Sequence, residues 1–353
     1  LILQANATQI PIKDKSVQLC CFSPPYWGLR KYDGLPEILW PDGDASDLGL
    51  EPSPELYLDH MALVMAEVWR VLRDDGVCFM NIGDTYSASR SYQVVDNKHK
   101  DVGNAMPMNK SVTGIPQKSL CLIPQKFAIR CQAAGWIIRS EIIWAKPNPM
   151  PESVRDRPTR SHEQVWMMTK RGRYFWDRNA ARQPVARSTI RRGPVSFGGA
   201  KGRNYNPDPD DPNYRGGNEQ WGRTYQYNVK VPGGWDTAKR SHGSIHKDGR
   251  TEKKYQDVQL LGGVNIRDVW TIPAEPTPEA HFATWPKKLV EKMIRAGSAP
   301  GDIVLDPFCG TAKTVIEAER LNRIGVGLDL SWPYLSEIAM PRKAIPLQRE
   351  LIA

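Results

Sequence analysis

Two short runs, far apart in the chain, carry residue types able to do chemistry: Ser23-Pro24-Pro25-Tyr26 and Asp306-Pro307-Phe308-Cys309-Gly310-Thr311. The first puts hydrogen-bond acceptors on a stiff turn. Ser23 offers a hydroxyl oxygen and Pro24 a backbone carbonyl, and the two prolines, Pro24 and Pro25, limit how far those acceptors must reorganise. Such a set suits an amine conjugated to a ring, like the exocyclic amine of a nucleobase. Its delocalised lone pair becomes a useful nucleophile only when fixed acceptors pull on the N–H bonds. Tyr26 adds a flat ring on which a base extruded from a duplex can stack. An ordinary packing turn would carry the same four residues, so the tetrapeptide gains its weight from the second run.

That second run lies between an apolar strand pattern and a helical one, the context of a nucleotide site. Gly310 permits a tight turn, the free amides at the helix start suit an anionic group such as an amino-acid carboxylate, and Phe308 can pack against a flat ligand. About twenty residues on, Asp329 ends the next strand, where a carboxylate can accept bonds from both hydroxyls of a ribose.

Elements that must position these runs are legible in the periodicity. Val17 to Phe22 reads as a buried strand. Leu56, Met61, Val64, Met65, Val68, Trp69 and Leu72 recur at helical spacing, with Asp74, Asp75 and Gly76 expected to stop that helix before a strand from Val77 to Ile82. A helix from Leu122 to Ala134, strands over Trp136 to Trp144 and Glu163 to Thr169, and a helix through Trp285, Leu289, Val290, Met293 and Ile294 follow. The strand Ile303 to Leu305, a helix Thr314 to Leu321 and a strand Ile324 to Leu328 complete an α/β pattern.

Between Arg182 and Asn265 the apolar periodicity vanishes, and Gly, Asn, Pro and Arg accumulate. Aromatics recur among the cations there, among them Phe197, Tyr205, Trp221 and Trp235. That mixture fits a nucleic-acid surface better than a plain linker, from which aromatics are usually depleted, though composition alone also allows a flexible insert. The divisions expected are 1–181 and 266–340 as two halves of one α/β domain, 182–265 as a recognition region, and 341–353 as a tail.

Bulk properties agree. The 353 residues are 40% hydrophobic and carry 48 Lys and Arg against 39 Asp and Glu, a net charge of +9 that suits an acidic partner. No apolar run approaches the roughly 20 residues of a membrane span. The six cysteines form no CxxC pair and read as buried free thiols. With no leader pattern at the start, a cytoplasmic setting is expected, and Leu1 in place of Met suggests that the natural start lies upstream. His162-Glu163 lacks further His or Cys at ligand spacing, so no metal site is expected. Asp84 reads either as a lining of the site or as a cap for the following segment.

Taken in order, these runs resemble the DNA amino-methyltransferases whose catalytic motif precedes the cofactor motif. The likeness rests on Ser23 to Tyr26, Gly76 to Tyr86, Trp144 to Glu163 with its Lys-Pro-Asn-Pro, His281 to Pro286, Asp306 to Thr311 and Gly327-Leu328-Asp329. It implies a Rossmann-like fold, a mixed and mostly parallel sheet with helices on both faces. It also implies S-adenosyl-L-methionine as cofactor, double-stranded DNA as partner, and a recognition region in the slot of 182–265. Expected cofactor-binding residues are Asn6, Thr284, Asp306, Phe308, Gly310, Thr311 and Asp329; expected DNA-binding residues are Arg191, Arg192, Lys201, Arg203, Arg223 and Arg240. In that family the Ser-Pro-Pro-Tyr form goes mainly with cytosine N4, and forms beginning with Asp or Asn mainly with adenine N6. A cognate restriction endonuclease is a further expected partner, although a phage can carry such an enzyme alone.

One departure stands out: Ala312-Lys313 occupies positions where the family usually has Gly-Thr or similar. A cation in a first helical turn opposes the helix dipole and needs a counter-charge, either the methionine carboxylate or an acidic neighbour. Ser23→Ala and Tyr26→Ala are each expected to remove most methyl transfer while leaving the fold intact, checked by tritium incorporation into DNA beside a thermal melt.

Overall fold

The computed structural model describes residues 1–28, 38–87, 114–183, 265–275 and 285–343. The expectations for Thr284, His281 and the six cations from Arg191 to Arg240 lie outside them. Two compact units emerge, one of Leu1–Asp177 with Arg267–Ala353, the other Arg178–Ile266. The first unit holds every strand and helix named below.

Among the described residues its centre is an eight-stranded sheet. In chain order the strands are β1 (Ile2–Gln4), β2 (Val17–Phe22), β3 (Leu72–Ile82), β4 (Ile137–Ala145), β5 (His162–Thr169), β6 (Val269–Thr271), β7 (Ile303–Asp306) and β8 (Ile324–Asp329). They lie side by side as β1-β8-β7-β2-β3-β5-β4-β6. All neighbours are parallel except β3 with β5 and β5 with β4. The expected mixed, mostly parallel sheet is therefore present. β2 is buried along its whole length, as a strand with ladders on both edges and helices on both faces must be.

Helices α1 (Pro54–Val71) and α2 (Ile123–Ala133) cover one face; α3 (Lys287–Gly297) and α4 (Lys313–Arg320) pack on the other side. Alternation along β2 divides its side chains between them. Cys20 and Phe22 join the α1 core, while Cys21 Sγ lies 3.9 Å from Met293 Sδ of α3. α1 begins where Ser53 accepts from the Leu56 amide at 3.2 Å and Pro54 supplies a preset φ. All six cysteines are buried free thiols. Among the described residues no helix is long and apolar enough to cross a membrane.

Two expectations need correction. Asp74, Asp75 and Gly76 do not separate α1 from the next strand: β3 opens at Leu72 and includes them. They form an irregularity in the β2 ladder, where Val17 pairs with Leu72 but Leu19 already pairs with Val77. The extra residues are absorbed as a bulge, which polar side chains at a sheet end tolerate. Trp285 precedes its helix, since α3 starts after Pro286. β1 and β6 leave no trace in the periodicity, because three residues are too few to show one.

Close packing of α4 on β8 requires two glycines. A Cβ at Gly325 would lie 2.5 Å from the Val315 carbonyl oxygen, and one at Gly327 2.7 Å from Val315 Cγ2 and 2.8 Å from Cys309 Sγ. Because the first obstacle is backbone, Gly325→Ala is expected to lower stability by about 1–3 kcal/mol, read as a shifted midpoint in urea denaturation.

Candidate active site

The sheet order places a switch point between β2 and β7. From β2 the chain moves to β3 on one side, and β7, its other neighbour, leads to β8 on the opposite side. Loops leaving the carboxyl ends of β2 and β7 therefore emerge at one edge, where such sheets usually hold their ligand. Ser23 to Tyr26 leave β2 there, and Pro307 to Ala312 leave β7. The two come together: the rings of Phe22 and Phe308 are 5.7 Å apart and tilted by 33°.

The β2 loop is held from several sides. Pro24 is buried, whereas Ser23, Pro25 and Tyr26 are partly exposed. Tyr57 of α1 donates to the Pro25 carbonyl at 2.9 Å, and Gly28 N donates to Gly49 O at 2.7 Å. Gly49 has φ +95°, and a Cβ there would lie 3.0 Å from the Tyr26 carbonyl oxygen. Behind it, the fully buried Glu51 accepts from Gly49 N at 2.8 Å and meets His60 Nδ1 at 3.0 Å. His60 stacks on Trp40 with ring centroids 3.8 Å apart and reaches Asp42 at 3.2 Å. This buttress gives no sign in the sequence, since its members are scattered over a loop and a helix.

Tyr26 lies over the backbone that follows β3. A Cβ at Gly83 would meet the ring at 2.6 Å, so only glycine lets the ring rest there. The phenol oxygen accepts from Ser23 Oγ at 3.1 Å and from Asn81 Nδ2 at 2.6 Å, and donates to Glu163 Oε2 at 2.9 Å. Asn81 Nδ2 also donates to Glu163 Oε2 at 2.8 Å, and the Lys146 ammonium pairs with Glu163 Oε1. Burial, and then the negative charge of Glu163, push the Tyr26 phenol well above its ordinary pKa.

Asn81, Lys146 and Glu163 are members of the site that sequence reasoning missed. Glu163 gives no signal beside His162, a pair without metal-ligand spacing. Antiparallel β5 starts at the edge where β2, β3 and β4 end, so a residue opening a strand joins residues closing three others. His162 itself is exposed. Asp84 is a cap: its carboxylate accepts from the amides of Leu122 at 3.2 Å and Ile123 at 3.1 Å, where α2 begins.

The second loop is organised by two aspartates. Asp306 is buried and accepts from Phe308 N at 3.0 Å and Thr314 Oγ1 at 2.6 Å, and burial raises its carboxyl to about 7. Asp329 accepts from Gly310 N and Ser331 N, each at 2.9 Å, and burial raises its carboxyl too. Each of its oxygens keeps a second lone pair. Asn6 follows β1, whose Gln4 pairs with Asp329, and Ala5 N donates to Asp329 O at 3.2 Å. Asn6 thus belongs to the same edge, its Oδ1 held by Thr8 N at 3.0 Å. Thr311 is buried in the turn. Lys313 finds its counter-charge in an acidic neighbour: Glu275 lies 3.9 Å from the ammonium and also accepts from Lys287 N at 3.0 Å, at the start of α3.

Gly83→Ala is expected to displace the Tyr26 ring and cut methyl transfer by roughly 10- to 100-fold, because small misplacements of a reacting group are this costly. Cofactor affinity, measured by calorimetry, should stay unchanged.

Comparison with known proteins agrees with the geometry. A family model for N6/N4 enzymes, described as DNA methylase, matches residues 17–340. The type II methyltransferase M.XycI of Xanthomonas campestris pv. cyanopsidis is 33% identical over 91% of this chain and 79% of its own length. M.Cfr9I of Citrobacter freundii is 32% identical over 93% of this chain and 81% of its own. The solved structure of TTHA0409 from Thermus thermophilus, in complex with S-adenosyl-L-methionine, superposes with a TM-score of 0.50 at 21% identity, covering 97% of this chain and 92% of that one. A family match along nearly the whole chain, over a sheet whose switch-point edge gathers both motif loops, leads to one conclusion: the chain belongs to the N6/N4 DNA methylase family.

Proposed function

We propose that this DNA methyltransferase acts on the N4 amine of a cytosine turned out of duplex DNA. The observation that carries the choice of an exocyclic amine is the orientation of Ser23, and the serine itself carries the choice of cytosine. Its proton is committed to Tyr26, so its oxygen presents lone pairs to an incoming amine, beside the rigid Pro24 carbonyl. A serine in that position is also the form that goes mainly with cytosine N4 in the resembling family.

S-adenosyl-L-methionine is the methyl donor, and when bound it supplies an electrophilic methyl group on a sulfonium. The residues at the edge fit it. Asp329 has lone pairs left for ribose hydroxyls, Phe308 offers a flat apolar face, and Asn6, Gly310 and Thr311 border the turn. Asp306 holds that turn through Phe308 and Thr314 rather than facing solvent. Because Glu275 meets the charge of Lys313, this lysine gives no reason to regard the protein as a degenerate, non-catalytic relative.

DNA recognition is assigned to residues 182–265, through Arg191, Arg192, Lys201, Arg203, Arg223 and Arg240. The division into 1–181, 182–265, 266–340 and 341–353, a cytoplasmic setting and a companion restriction endonuclease belong to the same reading.

The test is to methylate unmodified bacteriophage DNA with tritiated S-adenosyl-L-methionine, digest it to nucleosides and identify the labelled base. N4-methylcytosine is expected. N6-methyladenine would transfer the same geometry to the other amine, and no label would remove the enzymatic reading. DNA affinity should fall steeply as salt rises, because phosphate contacts release counterions.

A further inference from the structure

Around the Tyr26 hydroxyl lies more polar machinery than stacking requires. A phenylalanine would present the same face to a base, yet a hydroxyl, an amide, a carboxylate and an ammonium from four strand ends meet there. Buried polar groups are costly unless paired, and these are paired in one direction. Ser23 donates to Tyr26, and Tyr26 donates to Glu163. Asn81 keeps the order fixed by giving both bonds from Nδ2, to the phenol oxygen and to Glu163. Its Oδ1 is buried without a hydrogen-bond partner among the described residues. The opposite amide orientation would set that oxygen against the carboxylate. Lys146 neutralises the far oxygen of Glu163 and lies 4.2 Å from the centroid of Trp144, which limits its movement.

We propose that Glu163 is the terminal acceptor of a proton chain running from Ser23 through Tyr26, and that this chain takes the proton shed by the target amine. The proposal rests on the reading above, in which Ser23 and Tyr26 receive the base. An amine gaining a methyl group becomes a cation unless it sheds a proton as the methyl arrives, and shedding it in that same step lowers the barrier to transfer. Its N–H bond breaks and the electron pair returns to nitrogen. Ser23 Oγ takes that proton as its own passes to Tyr26 Oη, and the phenol proton passes to Glu163 Oε2. The product is neutral, and the carboxylate becomes a carboxylic acid that returns its proton to water when the product leaves. Tyr26 remains a neutral phenol before and after, so it carries the proton without acting as the base.

The experiment is single-turnover methyl transfer, with enzyme in excess over sites on unmethylated bacteriophage DNA and saturating tritiated S-adenosyl-L-methionine. Wild type is compared with Glu163→Gln, Tyr26→Phe, their double variant and Ser23→Ala, with cofactor affinity measured by calorimetry for each. Glu163→Gln and Tyr26→Phe are each expected to slow transfer roughly 10- to 100-fold, with cofactor affinity unchanged. The double variant should be no slower than the slower single, because both cut the same chain. Wild-type rates in either single variant, or losses that multiply in the double, overturn the relay; an inactive Ser23→Ala in the same series leaves the reading of the site standing. A fully active Ser23→Ala overturns that reading and the relay with it. Loss of cofactor binding in Glu163→Gln would make Glu163 a support of the fold and also overturn the relay. Should that variant fail to fold, Tyr26→Phe decides alone, since it keeps the ring and removes only the hydroxyl.

Discussion

The double parallel pairing of β2 is the constraint on which the rest depends. Leu19 and Cys20 pair with Val304 and Leu305 of β7 on one side and with Val77 and Cys78 of β3 on the other. Parallel neighbours send their loops off the same edge, and connections running opposite ways keep those loops from covering one another. Residues some 280 positions apart thereby share one sheet edge, an arrangement no local interaction could impose. A slip of one residue in the β2 register would exchange Cys20 and Phe22 for Leu19 and Cys21 against α1. The fully buried strand, flanked by two different packings, makes that slip costly.

Reversal of β5 is the second constraint. In an all-parallel sheet Glu163 would open its strand at the far edge, away from Tyr26. The antiparallel ladder from Val77 opposite Thr169 to Ile82 opposite Gln164 brings it back beside Asn81. The same ladder sets β4 so that Lys146 leaves at this edge, and Lys146 N is held by Ser161 O at 2.7 Å. The carboxylate and ammonium are both partly buried, where their attraction is screened less than at a surface. The buttress of Glu51, His60 and Trp40 stiffens the loop from behind, so the acceptors on Ser23 and Pro24 are preorganised for the amine they meet.

Both motif loops are legible in the residue order, for separable reasons. Pro-Pro dictates a stiff turn and the apolar run ahead of it dictates a strand, which places Ser23 and Tyr26 on a strand-end loop. Asp306, Gly310 and Asp329 follow from strand, turn and helix in succession, and the helix-strand alternation marks the α/β class. Short strands such as β1 escape because they owe their conformation to a neighbour: Ile2, Leu3 and Gln4 exist as a strand only against Gly327, Leu328 and Asp329.

By itself, then, the amino-acid order determined local geometry and composition: where the chain turns stiffly, which residues face a core, and which loops end strands. Tertiary structure alone decided which polar groups meet. Asn81, Lys146 and Glu163 converge on Tyr26 through strand direction and sheet order, and Glu275 reaches Lys313 across a fold in the chain. These are pairings over long sequence separations, set by the packing of whole elements, and a one-dimensional pattern carries no record of the direction in which a strand will lie beside its neighbour.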